Sequence, residues 1–264
     1  MSEGTVSTIT QHFRPEEAAF IQQASDWIRQ SDDEYRAILT RFLNPREQYM
    51  LTTLVNRSSG LIVKYDGGYA GAESQRAIIT PDIFPVAQAD FELSLLTIDY
   101  PTKYTTLQHA SILGALMHAG IKRAVVGDIL SDGQAWQVLV DARMVAFIQQ
   151  NVTTIGRTKI RWTICPRDAR IVMQDDWVEA FGLLPSLRLD AVVATTFAIP
   201  RSLAKTLITQ QQVRLNWATQ EKPDHTVAIG DLISVRKYGR VKLTVLDGLS
   251  KKDKIKVLYH IIRR

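Results

Sequence analysis

Residues 188–205, which read RLDAVVATTFAIPRSLAK, decide the fold of the C-terminal third of this chain. Apolar residues recur at helical spacing over 188–196 and again over 201–209, with a proline just before the second run. In the second run Arg201 and Lys205 lie four residues apart, so both project from one helix face. The pattern therefore predicts two short helices, the second of which has a basic edge.

Short strands are predicted after these helices, at 213–217, 232–236 and 240–246. Alternation along the first strand predicts that Arg214 and Asn216 face outward, because side chains of a strand point to opposite faces in turn. A cationic helix edge beside a polar strand suits contacts to nucleic-acid phosphates. We expect the region from 188 to 246 to fold alone and to carry most of the RNA affinity.

The candidate RNA-contacting residues of this region combine the helix edge, the first strand and a basic glycine turn. They are Arg188, Arg201, Ser202, Lys205, Arg214, Asn216, Arg236, Lys237 and Arg240. A structural interpretation stays open for two of them. Arg188 can form an ion pair with Asp190 at a helix start, and Asn216 can be a turn residue.

The basic charge of the chain is concentrated in the same region. Residues 188–264 hold 15 Lys and Arg against 6 Asp and Glu, a balance of +9, while the preceding 187 residues hold 17 against 21, a balance of −4. A localised basic segment in a folded domain indicates a polyanionic partner. The alternative is a solvated basic surface that only favours solubility.

The chain upstream predicts an α+β fold in further parts. Residues 1–76 predict a helical region with a hairpin, in which Asp32 opens a second short helix and Asn44 a third. Residues 77–183 alternate β-α-β-β-α-β, the order of a ferredoxin-like unit, which many RNA-recognition domains share. Trp136 and Trp162 in this unit are expected in the core. A break around 181–185 predicts a linker, which makes 184–264 the C-terminal domain.

The loop at 120–123 offers a second basic site. Gly120-Ile-Lys-Arg123 follows a predicted helix and places two cations, Lys122 and Arg123, in an otherwise acidic region. We expect a weaker RNA contact at this turn. The alternative is an ordinary helix C-terminus at which cations favour the helix dipole.

Composition and motifs exclude several classes of function. No apolar run is long enough to span a membrane, and the N-terminus does not resemble a secretory signal. The single cysteine, Cys165, makes a reducing cytoplasmic location the expectation. The sequence shows no zinc-ligand spacing, phosphate-binding loop or nucleophile elbow. We therefore expect no catalytic residue, metal, cofactor or small-molecule substrate.

The C-terminal residues resemble the S-four RNA-binding domain, a module named after a small-subunit ribosomal protein. The resemblance rests on Arg188-Leu-Asp190, Arg201-Ser202 with Lys205, Val213-Arg-Leu-Asn216 and Gly230-Asp231 with Ile233. Two positions depart from that pattern. Pro200 stands where serine usually precedes the arginine, and Gln211 stands where a turn glycine usually lies, so the turn before the strand is expected to differ in shape.

The resemblance continues upstream to the YlmH family, whose members end in this module. It is carried by Asp90-Phe-Glu, Tyr100-Pro-Thr-Lys103, Leu107 to Leu116, Gly120 to Arg123, Gly127-Asp-Ile129 and Ile155-Gly-Arg157. It implies a three-part, bacterial, non-enzymatic protein. It also implies association with rRNA or tRNA on the large ribosomal subunit or its stalled peptidyl-tRNA complex, in quality control, and less directly a link to cell division.

Three hypotheses of function follow. The chain binds ribosomal RNA or tRNA, or it is an RNA-modifying enzyme anchored by the same module, or it is a protein-interaction factor linked to division. The second hypothesis needs a catalytic aspartate in a distinctive domain, and the sequence shows no such motif. A sucrose gradient with and without nuclease separates the first hypothesis from the third.

Overall fold

The computed structural model describes residues 17–172 and 177–263, which form two compact units divided after residue 173. The first unit comprises α1 (Ala18–Asp33), β1 (Ile38–Leu43), α2 (Pro45–Val55), β2 (Leu61–Asp66), β3 (Gln75–Pro81), β4 (Leu93–Asp99), α3 (His109–His118), β5 (Val126–Ser131), β6 (Trp136–Asp141), α4 (Val145–Asn151), β7 (Thr154–Ile155), β8 (Thr158–Lys159) and β9 (Arg161–Cys165). The second comprises β10 (Val178–Leu184), α5 (Leu189–Thr196), α6 (Arg201–Thr209), β11 (Val213–Leu215), β12 (Ala218–Thr219), β13 (Leu232–Val235), β14 (Gly239–Leu249) and β15 (Ile255–Arg263). The α+β class is confirmed.

The first unit begins with a three-stranded antiparallel sheet in the order β1-β3-β2, against which α1 and α2 pack. The predicted hairpin is confirmed as β2 and β3. Asn44 starts α2 as predicted: its side chain accepts from the Glu47 amide at 2.9 Å, and Glu47 accepts from the Asn44 amide at 2.9 Å. The predicted helix at Asp32 is wrong, because Asp32 and Asp33 end α1 and the chain returns as strand β1, paired with β3.

A four-stranded antiparallel sheet in the order β5-β6-β4-β9 follows. With α3 and α4 on one face it has the predicted ferredoxin-like β-α-β-β-α-β topology. Trp162 is 4% exposed in the core between sheet and helices, and its indole nitrogen donates to the carbonyl of Val152 at 2.7 Å. Trp136 packs against the same core. Both tryptophans are therefore core residues, as expected.

The face of this sheet that points away from its helices is also covered. Leu95, Leu130 and Leu139 form a small buried cluster there, against which Tyr69 and Ile171 pack. The chain at 169–171 is fixed across the face by Gln137. Its side-chain nitrogen donates to the Ala169 carbonyl at 3.0 Å, and its side-chain oxygen accepts from the Ile171 amide at 2.6 Å. Here, packing occupies a surface on which RNA-recognition domains usually present stacking aromatics.

Polar contacts join the two sheets of the first unit. The Asp128 carboxylate in β5 accepts from the Tyr69 hydroxyl at 2.8 Å and from the amides of Glu73 and Ser74 at 2.8 and 3.1 Å. Buried Arg76 in β3 donates to the Phe91 carbonyl at 3.1 Å and lies 3.4 Å from Asp141. The predicted domain boundary after residue 76 falls inside β3, and these contacts make the residues on both sides parts of one unit.

The second unit is a six-stranded antiparallel sheet in the order β10-β15-β14-β13-β11-β12, with α5 and α6 packed on one face. The predicted linker at 181–185 is wrong, because β10 pairs with β15 over its whole length, from Val178 opposite Ile261 to Leu184 opposite Ile255. The predicted boundary after residue 183 therefore lies inside a strand. None of the helices in the described ranges is long and apolar enough to cross a membrane.

Candidate RNA interface

The centre of the candidate site is the Asp190 carboxylate in the first turn of α5, whose side chain is 0% exposed. Arg188 donates to both of its oxygens, each at 3.2 Å, and Arg201 at the start of α6 donates to one of them at 2.9 Å. Burial alone would raise the pKa of Asp190, but the hydrogen bonds from Arg188 and Arg201 outweigh it and hold this pKa below its ordinary value. Asp190 therefore stays ionised and joins two helix starts.

Both arginines also face solvent. The side chain of Arg188 is 40% exposed and that of Arg201 is 47% exposed, although each is oriented by the buried carboxylate. Lys205, one turn after Arg201 on α6, is exposed, as is Ser202. We call Arg188, Arg201, Ser202 and Lys205 the helix edge. It combines two positioned guanidinium groups with one unrestrained ammonium group, the chemistry of a phosphate contact.

Asn216 is not part of an outward strand. The strand ends at Leu215, and Asn216 and Trp217 take the positive φ values of +49° and +67° in the tight turn to β12. The Asn216 amide nitrogen donates to Asp231 at 2.9 Å, and its oxygen accepts from the Leu232 amide at 3.0 Å. The structural alternative therefore describes Asn216 better than the expected outward, RNA-facing position.

Gln211, which stands where a glycine is usual, has φ +60° and takes the left-handed conformation that the glycine would take. Its amide donates to the Ile208 carbonyl at 3.0 Å, and the Gln212 amide donates to the Leu207 carbonyl at 2.9 Å. These two bonds form a Schellman motif that ends α6. The turn has this regular cap in spite of the substitution, contrary to the expectation of a different shape.

The turn between β13 and β14 carries two exposed cations, Arg236 and Lys237. The Arg236 amide donates to the Gln212 carbonyl at 3.0 Å, which fixes the turn beside the end of α6. Tyr238 packs edge-on against Phe197, with ring centroids 6.2 Å apart. The turn therefore adds two cations beside the end of α6, at the end of the central strands β13 and β14.

The remaining two predicted residues lie on the opposite face. Arg214 pairs with Ser234, and Ser234 pairs with Arg240, so the three point to one side of the sheet. Their strand neighbours Val213 and Val241 are buried against the helices. The structure thus separates the predicted residues into two groups, and the sheet lies between Arg214 with Arg240 and the helix edge.

The predicted basic turn of the first unit contains one exposed cation rather than two. Lys122 is exposed. Arg123 is half-buried and donates to the backbone carbonyls of Val126 and Gly127, and burial lowers its pKa. The amides of Gly120 and Ile121 donate to the carbonyls of Met117 and Leu116, which caps α3. The helix-terminus alternative therefore describes this turn, and Arg123 has a structural position.

Comparisons with known proteins agree with this geometry. Residues 86–168 match the model described as a putative RNA-binding domain in YlmH, and residues 187–233 match the S4 domain. A "Ribosome-associated protein quality control protein P2" of Bacillus subtilis is 38% identical over 255 residues, covering 96% of this chain and 98% of the relative. The solved structure "Cell division protein ylmH from Streptococcus pneumoniae" is 28% identical, covers 61% of this chain and 98% of its own, and superposes with a TM-score of 0.55.

The second fold unit and its basic helix edge define an RNA-binding protein of the S-four type. The chain belongs to the YlmH family, as the match over nearly its whole length shows. Among residues 17–172 and 177–263, no cluster of three or more His, Cys, Asp and Glu side chains is placed to hold a metal ion.

Proposed function

We propose that this chain binds rRNA or tRNA on the large ribosomal subunit and acts on stalled peptidyl-tRNA complexes in quality control. The observation that carries the proposal is the pair of half-exposed arginines, Arg188 and Arg201, that buried Asp190 holds in place. Lys205 lies one turn after Arg201 on the same helix. The printed name of the Bacillus relative supports the ribosomal partner. A ribosomal partner in turn gives the chain a cytoplasmic place of action.

The physical basis is preorganisation of the guanidinium groups. An unrestrained arginine loses side-chain entropy when it binds a phosphate, whereas Arg188 and Arg201 are already oriented by Asp190. Lys205 adds a compact positive charge on a flexible side chain, which can attract a phosphate from several directions. Arg236 and Lys237 extend this surface. Lys122 remains a candidate for a second, weaker contact made by the first unit.

We propose that the chain acts by binding rather than by catalysis. Both matched models describe RNA-binding modules. In the first unit the Asp128 carboxylate accepts three hydrogen bonds from residues 69–74, so it fixes a loop. The division-linked alternative rests on the name of the Streptococcus relative, and it predicts association that does not depend on RNA.

Co-sedimentation with purified large ribosomal subunits at about physiological salt tests the proposal. We expect Lys205→Gln to lower the bound fraction, and the log–log salt slope to fall by about 1, because one phosphate contact is lost. Lys251→Gln is the matched control, since Lys251 is also an exposed lysine and lies in the β14–β15 turn. Melting temperatures of both variants should equal that of the parent.

Two outcomes contradict the proposal. Equal binding by the parent, Lys205→Gln and Lys251→Gln would show that the helix edge does not contact the ribosomal subunit through Lys205. Co-migration with a protein partner that survives nuclease treatment, without any binding to purified subunits, would favour the division-linked alternative.

A further inference from the structure

An apolar row crosses the outer face of the six-stranded sheet, the face that points away from α5 and α6. Phe181 in β10 pairs with Leu258 in β15, which pairs with Val245 in β14. The neighbouring pair Ala180 and Tyr259 belongs to the core beneath the helices, so the row points outward. Phe181 is 59% exposed and Val245 is 45% exposed.

Cations lie on both sides of this row. Lys256 of β15 pairs with Leu183, on one side of Phe181. Lys242 of β14 is in register with His260, on the other side. Two pairs further along, and so on the same face, Arg240 lies over the ring of Trp177 at 5.9 Å. The result is an exposed aromatic ring with Lys256 on one side and Lys242 on the other, where the Glu179 carboxylate also lies 3.4 Å from His260.

We propose that this outer sheet face binds an unpaired stretch of RNA, with a base stacked on Phe181 and the adjoining phosphates beside Lys242 and Lys256. Exposed aromatic rings on a sheet, flanked by cations that follow a phosphate backbone, are the chemistry of single-strand recognition. The cationic flanks favour a polyanion over an apolar protein segment. This surface lies across the sheet from the helix edge and outside residues 187–233, which match the S4 domain.

The test uses the full chain and a fluorescein-labelled ten-nucleotide oligouridylate, with fluorescence anisotropy at about physiological salt. We expect Phe181→Ala to weaken binding about 5- to 150-fold, the range measured for the loss of one stacked base. Phe181→Tyr should bind like the parent, because it keeps an aromatic face. Val178→Ala is the matched control: Val178 lies in the same strand, is 60% exposed and points to the opposite face.

Several outcomes would overturn this inference. Equal affinity of Phe181→Ala and Val178→Ala would show that no base stacks on Phe181. Parent-like binding by Phe181→Leu would show that an apolar side chain suffices and that stacking is not involved. Oligonucleotide binding that falls in Lys205→Gln but not in Phe181→Ala would place the single strand at the helix edge. That last result would leave the proposed function intact, because the two surfaces are altered separately.

Discussion

The guanidinium group of Arg201 lies 2.9 Å from a carboxylate oxygen of Asp190, a side chain with no solvent exposure. Arg201 therefore has two tasks, since it compensates a buried charge and also presents N–H groups at the surface. Lys205, four residues later on the same helix, faces solvent. Sequence spacing alone makes these two residues look equivalent. The structure shows that they differ, so we expect their substitutions to have different effects on stability.

We expect Arg201→Ala to lower both stability and RNA affinity, and Lys205→Ala to lower RNA affinity alone. Removal of one partner of a buried ion pair costs up to about 3–5 kcal/mol. Because Arg188 remains and Arg201 is half-exposed, we expect about 1–3 kcal/mol here. Urea unfolding followed by circular dichroism measures the difference. Equal stability of the two variants would contradict a structural role for the Arg201–Asp190 pair.

We expect the substitution of Gln211 by glycine to stabilise the protein. Its φ of +60° is left-handed, a conformation that costs a residue with a Cβ atom roughly 1 kcal/mol. Gln211→Gly should therefore raise the free energy of unfolding by about 0.5–1 kcal/mol. The control is Gln210→Gly, because Gln210 has φ −85° and glycine there should destabilise the helix end. A loss of stability in Gln211→Gly would indicate that its side-chain bond to Glu221 at 2.7 Å matters more than the backbone strain.

Asp128 should give the first unit an unusual dependence of stability on pH. Burial, followed by the negative charge of Glu73, raises the pKa of Asp128 to about 6. An acid whose folded pKa is raised binds more protons in the folded state. Its contribution to stability is therefore fully present below about pH 4 and is lost as the pH rises toward 6, by at most about 3 kcal/mol. Because the residue as a whole is only partly buried, the measured change should be smaller.

The measurement compares urea unfolding of the parent and of Asp128→Asn at several pH values between 4 and 7. The stability of the parent minus that of the variant should fall as the pH rises through this window. Taking the difference removes the titration of all other carboxylates. A difference that increases with pH would mean that the three hydrogen bonds to Asp128 outweigh its burial.

The C-terminal unit should fold as residues 177–264 but not as residues 188–246, contrary to the expectation from the sequence. The shorter fragment lacks β10 and β15, and with β15 it lacks buried Val257, Tyr259 and Ile261. Burial of one such side chain contributes about 1.5–3 kcal/mol, so the loss approaches the whole stability of a small domain. Circular dichroism melting distinguishes the fragments. A cooperative transition in the 188–246 fragment would refute this prediction.

The sequence by itself determined several features that depend on local pattern, although not the helix predicted at Asp32. Helical spacing and a capping residue were sufficient for α2, α5 and α6, and strand alternation with its order was sufficient for the ferredoxin-like unit. These features are readable because each is set by residues within a few positions of one another. The charge balance of +9 after residue 187 likewise showed that the basic residues are concentrated in the second unit.

Only the tertiary structure decided which of the predicted polar and basic residues are bonded within the protein and which are exposed at its surface. The polar groups of Asn216 and Arg123 are hydrogen-bonded within the protein. Asn216 donates to the Asp231 carboxylate, and Arg123 donates to the Val126 carbonyl. The predicted linker at 181–185 falls largely within strand β10, which local pattern did not reveal because the strand's partner lies more than 70 residues away. Long-range pairing fixes which side of a sheet each cation faces, and local sequence does not contain that information.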